Sequence, residues 1–146
     1  MLIQIAVGSG LLIVNITFAA IAAMALEVLF QRAHKLLAHE GQAHRLVMLL
    51  ASVSLAVLCI ATFGLWIWAV VYYWLGVFPT MEESVYFSLA AYTTLGLGDV
   101  VPTHEWRLLA GMEAANGFLN FGLLTALMIG ALRQIRTGPY PNWRDD

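Results

Sequence analysis

The part of the chain whose residue types could do chemistry is TTLGLGD, residues 93–99, where two glycines alternate with leucines and an aspartate closes the run. Gly96 and Gly98 accept backbone conformations that other residues resist, so a helix is not expected to continue through this segment. Glycines at alternate positions let neighbouring carbonyl oxygens turn to the same side. A column of carbonyl oxygens can replace the water around a cation, so the segment is a candidate ion-binding loop.

The elements around this loop have the composition of a membrane protein. The chain is 61% hydrophobic and 11% charged, far from the roughly 25% charged residues of soluble domains. Apolar runs predict helices at 1–30, 46–78 and 106–136, each long enough to cross the hydrocarbon of a bilayer. We therefore predict an all-α membrane protein with three transmembrane helices. A cleaved signal peptide is the alternative for the first run, which lacks a basic start.

A shorter apolar run, residues 83–93, lies between the second and third predicted helices. Its composition is helical, but it is too short to span a membrane. We predict that it enters the membrane and returns through the loop 94–99. Non-helical backbone at that depth is tolerated only where it is buried in protein or lines a watery path. Lining such a path is the functional interpretation of the loop.

The distribution of charge predicts the orientation of the chain. Cations occur in the connector 31–45 and near the tail 137–146, whereas the segment 79–106 is acidic. The positive-inside rule then places the connector and the tail in the cytoplasm and the amino terminus outside. The formal net charge is −2, with no basic patch for phosphates, so nucleic acid is not expected as a partner. A bacterial inner membrane is the expected location, because the chain is compact and has no eukaryotic-style sorting or regulatory region.

The loop and the third predicted helix resemble a known family. TTLGLGD, preceded by a short apolar helix and followed by Pro102, resembles the selectivity-filter signature TVGYGD of the tetrameric potassium channels. The segment GFLNFGLLTAL, residues 117–127, is similar to the inner helix of two-helix bacterial potassium channels, with Gly117 where their gating hinge falls. The likeness covers residues 46–136, so the first helix is an addition to the two-helix plan.

The resemblance implies a homotetramer in a lipid bilayer that conducts potassium, a monovalent cation, and uses no organic cofactor. Four loops would surround the ion, because one loop offers only one wall. K+ would be bound by the backbone carbonyls of Thr94, Leu95, Gly96 and Leu97, and the Thr94 hydroxyl would form the innermost site. Filter support and the outer mouth would come from Thr93, Gly98 and Asp99.

The resemblance also assigns a gating and cavity role to one face of the third helix. The residues that would face the cavity or allow bending are Gly117, Phe118, Phe121, Thr125 and Ile129. Except for the glycine they recur every three or four residues, as one helical face requires. The alternative is that this stripe is packed core of the helix bundle.

Two residues of the loop depart from the family signature. Leu95 and Leu97 stand where the family has valine and tyrosine, so the hydrogen bonds of that tyrosine to pore-helix aromatics are absent or remade. A weakly selective monovalent cation channel is the alternative within this class, and a non-conducting membrane subunit is the alternative outside it. No enzyme is expected, because an intramembrane reaction at Glu113 and Asn116 would lack a second ionisable group.

Glu113 is a carboxyl group within an apolar helix, which is unfavourable unless it is protonated, hydrated or paired. In some bacterial channels a glutamate stands at the position of Ala90 and pairs with the filter aspartate. We hypothesise that Glu113 is a filter-backing carboxylate that substitutes for it and shares a proton with Asp99. The alternative is that Glu113 lies hydrated in the outer headgroup zone.

The first predicted helix carries isolated polar residues whose role the sequence leaves open. They either contact the predicted pore module, residues 46–136, or a partner protein, or they are single polar groups satisfied by the helix backbone. These residues are Gln4, Ser9, Asn15 and Thr17.

Overall fold

The computed structural model describes the backbone of residues 2–36 and 42–136, and the side chains of residues 2–26, 28, 47, 48 and 50–130. Residues 37–41 of the predicted connector and the whole predicted tail, 137–146, lie outside the described residues. Within the described ranges the regular elements are helices, with no strand. They are α1 (Leu2–Leu36), α2 (Gln42–Trp74), α3 (Met81–Tyr92) and α4 (Arg107–Arg136), with a short 3-10 helix at His104–Trp106.

Three stretches of these helices are long and apolar enough to cross a membrane, namely Leu2–Leu26, Leu50–Trp74 and His104–Gly130. The prediction of an all-α membrane protein with three such helices is confirmed. α1 continues past its predicted end at residue 30, and α2 begins before residue 46. The residues added to α1, QRAHKL, contain good helix formers and neither glycine nor proline, so local propensity supports the extension.

α2 ends before the limit that its apolar run suggests, at Trp74 rather than at residue 78. Gly76 has φ +66°, and its N–H donates to the carbonyl of Tyr73 at 3.1 Å. The next N–H, that of Val77, donates back to Tyr72 at 3.0 Å. This pair of bonds around a left-handed glycine is a Schellman motif, which satisfies the last carbonyls of the helix and turns the chain.

α3 begins at Met81, two residues before the predicted start, because Thr80 caps it. The Thr80 hydroxyl accepts a hydrogen bond from the N–H of Glu83 at 3.1 Å. Glu82 and Glu83 lie in the first turn, where negative charge is favourable to the helix dipole. The cap and these carboxylates together fix where the short helix starts.

α3 packs between α2 and α4, and α1 packs against both α4 and α2. The main core lies where the outer part of α2 meets α3. Tyr72 is edge-on to Phe78 and to Phe87, with ring centroids 5.9 and 5.4 Å away. Such edge-to-face contacts add to the free energy of apolar burial. The buried members of this cluster are Leu65, Trp68, Tyr72, Val77, Phe78, Phe87, Tyr92 and Leu109.

Candidate functional site

The loop after α3 is tied to the carboxyl end of that helix by its own backbone amides. The N–H of Thr94 donates to the carbonyl of Ala91 at 2.9 Å. The amides of Leu95 and Gly96 both donate to the carbonyl of Ala90, at 2.9 and 3.1 Å. These bonds satisfy carbonyls that a helix end leaves unpaired. The amides of residues 94–96 thus bond to the end of α3 and not to the carbonyl oxygens of the loop itself.

The backbone of the loop alternates in handedness at every residue from 94 to 98. Thr94 and Gly96 have φ +58° and Gly98 has φ +80°. Leu95 and Leu97 between them keep negative φ. Glycine adopts positive φ without steric penalty, which explains its two positions. This alternation is the geometry that lets neighbouring carbonyls face one side, and both glycines occupy positions that require it.

Thr94 is the unusual member of this series. A β-branched residue at φ +58° is an outlier that costs on the order of 1–3 kcal/mol and concentrates at functional sites. Its hydroxyl donates to the carbonyl of Thr93 at 2.6 Å. The lone pairs of the hydroxyl oxygen remain able to accept a cation or water, so the side chain offers an oxygen next to those of the loop.

In a single chain the loop is open to its surroundings. All of residues 93–99 are exposed, and the leucine side chains at 95 and 97 are 65% and 57% accessible. Among the described residues, no backbone amide donates to the carbonyls of 94–98. Unpaired backbone at membrane depth has to face protein or a watery path.

Asp99 ends the loop and is held by the short helix. The Tyr86 hydroxyl donates to its carboxylate at 2.6 Å. This hydrogen bond lowers the pKa of the Asp99 carboxyl and raises the pKa of Tyr86. This bond links α3 directly to the end of the loop.

Glu113 lies on the other side of α3 and is fully buried. Its carboxyl is hydrogen-bonded to the hydroxyl of Ser88, which also lies 3.0 Å from the carbonyl of Leu65. The alternative of a hydrated Glu113 in the headgroup zone is therefore wrong for this structure. Asp99 is bonded to Tyr86, and the hypothesis that Glu113 backs the filter and shares a proton with Asp99 stays a prediction.

The stripe of residues that is predicted to face a cavity lies on an exposed face of α4. Phe118 is 71% accessible, Phe121 44% and Ile129 49%, and Thr125 is exposed as well, with its hydroxyl bonded to the carbonyl of Phe121 at 2.7 Å. The stripe is therefore not packed within one chain, and both its cavity role and the alternative of packed core of the helix bundle stay predictions. The face of α4 that is buried within the chain is formed by Leu109, Glu113, Asn116, Gly117, Asn120 and Leu124.

Gly117 is a point of close approach between two helices. A Cβ at this position would lie 1.8 Å from the carbonyl oxygen of Tyr92. α4 runs without interruption from Arg107 to Arg136, so the structure explains this glycine by contact with the end of α3. The hinge implied by the family resemblance stays a prediction.

Sequence reasoning missed the residues that hold the back of α3. Ser88 and Tyr92 bond with α4 residues, and Asn15 of α1 joins the same buried region. The polar side chain of Asn15 within an apolar run was a signal that some contact exists. Its partners are distant in sequence, so the pattern could not identify them.

Comparison with known proteins adds one match. Residues 55–134 match a family model described as an ion channel. The matched range contains α3, the loop and most of α2 and α4, whereas α1 lies outside it. No curated protein and no solved structure matches the chain.

Proposed function

Because the chain belongs to this ion channel family, that of the pore-loop potassium channels, we propose that it is a passive potassium-conducting channel. The observation that carries this proposal is the alternating backbone of the loop, with positive φ at residues 94, 96 and 98. That backbone supplies free carbonyl oxygens at the point where the family carries its selectivity filter. Potassium is the transported substrate, and no organic cofactor takes part.

The proposed pore needs four copies of the chain around one axis. Carbonyls of Thr94, Leu95, Gly96 and Leu97 from each copy replace the water of the ion, and the Thr94 hydroxyls form the innermost site. The exposure of the whole loop in one chain supports this assembly, because unpaired backbone would otherwise face lipid. The exposed stripe of α4 then lines the cavity in which the ion is rehydrated, and its phenylalanines can close the path by dewetting.

Two electrostatic features favour a cation over an anion. The carboxyl end of α3 meets the loop, and a helix end of this kind carries partial negative charge. Asp99, kept ionised by the bond from Tyr86, adds a negative charge at the outer mouth. Both features raise the local concentration of cations without selecting between them.

We place the protein in the bacterial inner membrane, with the amino terminus and the loop outside and the carboxyl terminus in the cytoplasm. The distribution of cations supports this orientation. The protein is integral to a membrane, because it has three apolar spanning helices and belongs to an ion channel family.

A weakly selective monovalent cation channel is the second candidate. Leu97 has no hydroxyl and is 57% exposed in the chain, so no side-chain hydrogen bond from this residue fixes the width of the loop. Selectivity depends on the number and rigidity of the carbonyl sites. A looser loop would conduct potassium and sodium at similar rates.

A bi-ionic reversal potential on the purified protein in lipid bilayers tests the proposal. With potassium on one side and sodium on the other, we expect a reversal potential far from zero, with the sign that opposes the flow of potassium out of its compartment. Reversal near zero supports the weakly selective channel instead. Absence of current above that of protein-free bilayers would contradict both and favour a non-conducting subunit.

A further inference from the structure

α1 is the part of the chain that the family match leaves unexplained, since residues 55–134 exclude it. Its packing is nevertheless extensive. Val7 and Leu11 contact the main core, and Ala19 is buried in a second cluster with Ile60 and Leu124. The helix therefore packs directly on α2 and α4, the two helices that flank the loop.

Asn15 is a buried polar residue of α1 that contacts the pore module. It is 1% exposed, although it lies in the middle of a spanning stretch. Its amide nitrogen donates to the carbonyl of Gly64 in α2 at 3.0 Å. A Cβ on Gly64 would lie 2.7 Å from the Asn15 oxygen and 2.5 Å from the Tyr92 hydroxyl. Because glycine has no side chain, Gly64 leaves room for Asn15 of α1 and Tyr92 of α3 to approach α2.

Asn120 connects Asn15 with the end of the short helix. Its amide nitrogen donates to the oxygen of Asn15 at 3.1 Å and to the hydroxyl of Tyr92 at 2.7 Å. An amide nitrogen has two protons, so these two bonds use its full donor capacity. The three side chains come from α1, α3 and α4, and each is at most 2% exposed.

Tyr92 transmits this contact to the loop by position. It is the last residue of α3, two residues before Thr94, and its carbonyl lies against Gly117. Any shift of the Tyr92 ring moves the backbone from which the alternating segment starts. Thr94 is strained and depends on its surroundings to keep its conformation.

We infer that α1 is a working part of the pore and that Asn15 is a positioning residue, which acts through Asn120 and Tyr92 to fix the inner end of the ion-binding loop. This rests on the proposed function for its effect on selectivity, but the anchoring itself does not depend on conduction. Asn15 does not contact the ion. Its removal loosens the loop at Thr94, where the innermost site is expected.

The test compares Asn15→Leu with Thr17→Val, both in the full-length protein in lipid nanodiscs. Each change removes the polar group of a residue in α1 at similar size, but Thr17 is exposed and Asn15 is buried. Leucine is more favourable than asparagine in a spanning helix, so insertion is preserved. Hydrogen exchange is measured at the amides of residues 93–95, which bond to the end of α3.

We expect exchange of these amides to rise about fivefold in Asn15→Leu, as loss of a hydrogen bond worth ~1 kcal/mol implies, and to stay unchanged in Thr17→Val. We expect a similar rise in the sodium-to-potassium permeability ratio. Tyr92→Phe, which removes only the hydroxyl bonded to Asn120, should act in the same direction and serves if Asn15→Leu does not assemble.

Unchanged exchange at 93–95 in the variants overturns the inference, whether or not the wild-type protein conducts. Faster exchange with no wild-type current refutes the proposed function and upholds the anchoring by Asn15. Wild-type current with an unchanged permeability ratio in both variants would overturn the link to selectivity.

Discussion

Polar groups have different environments in the loop 93–99, the open side of α3, and on the buried face of α3, its closed side. On one side the loop 93–99 is exposed, and the carbonyls of residues 94–98 accept no bond from a described backbone amide. On the other side Ser88, Glu113 and Asn120 are buried and bonded to side chains of neighbouring helices. A single chain therefore covers the polar groups behind the short helix and leaves the front open, although Glu113 Oε2, Asn116 Nδ2 and Asn120 Oδ1 have no hydrogen-bond partner among the described residues.

This difference indicates where the chain can tolerate change. Behind α3 the protein depends on close contact between its own helices, so substitutions there should act first on stability. At the loop the contacts within the chain are few. Substitutions there should leave the protomer folded and change ion conduction. Variants matched for local backbone or position can separate these two kinds of effect.

The largest effect is expected from Gly96→Ala, with Gly76→Ala as its matched control. Both glycines have positive φ, +58° and +66°, and neither would bring a new Cβ within 4 Å of another group of the chain. Each variant should lose a similar amount of stability, about 1–2 kcal/mol, because a Cβ strains the left-handed conformation. Only Gly96→Ala should abolish current in reconstituted bilayers.

Equal loss of current in both glycine variants would contradict this prediction. It would mean that backbone strain anywhere near α3 stops conduction, and that the loop has no special role. Thermal unfolding of the detergent-solubilised protein measures the stability term separately from the current.

An effect of intermediate size on current, caused by loss of stability, is expected from Gly117→Ala on the closed side of α3. The new Cβ would lie 1.8 Å from the carbonyl of Tyr92, so α4 and α3 must separate. We expect a loss of roughly 3 kcal/mol, as for a clash that no rotamer can relieve. Gly122→Ala is the control, because it lies on the same helix with open space around it. It should be neutral or slightly stabilising in thermal unfolding.

The result that would contradict this prediction is a stable Gly117→Ala protein with altered gating. Such a protein would favour bending of α4 at Gly117, which the family resemblance implies. Normal stability and normal gating together would show that the close contact with Tyr92 is not needed.

The smallest effect is expected from Tyr86→Phe at the outer end of the loop. The Tyr86 hydroxyl lowers the pKa of Asp99, so the carboxylate of the wild-type protein stays ionised to lower pH. Removing the hydroxyl raises this pKa towards its ordinary value. Current at low salt should then begin to fall at a higher pH than in the wild type, by loss of the negative charge at the mouth.

Tyr73→Phe is the control for this titration, since Tyr73 is an exposed tyrosine on α2 and the hydrogen bond to Asp99 comes from Tyr86. Its current should follow the wild-type pH dependence. A Tyr86→Phe profile that coincides with the wild type would show that Asp99 does not govern the approach of ions. High salt should reduce the difference between variants, because it screens the mouth charge.

The open side of α3 was largely predictable from sequence because its signals are local. Alternating glycines, a short apolar helix and a terminal aspartate lie within about twenty residues, and each has a direct backbone meaning. The ends of the helices were harder to predict, because apolar content does not distinguish Leu75 and Val77 in a turn from the same residues in a helix. There Gly76 decided the outcome through its left-handed conformation.

The closed side could not be derived in the same way, since its contacts join residues far apart in the chain. Asn15 and Asn120 are 105 residues apart in the chain, and only packing shows that they share one site. Glu113 illustrates the same limit. A carboxyl group in an apolar helix predicted that Glu113 is protonated, hydrated or paired, but not that it is bonded to Ser88.

Thr94 is retained in a conformation that glycine would adopt freely, so the benefit of this residue has to come from its hydroxyl. In a fourfold assembly the strain is present four times around one axis, at a single level of the path. The ring of hydroxyls at that level would coincide with the strained backbone of Thr94 in each chain. Thr94→Gly would relieve the backbone strain at this level, but it would also remove the hydroxyl.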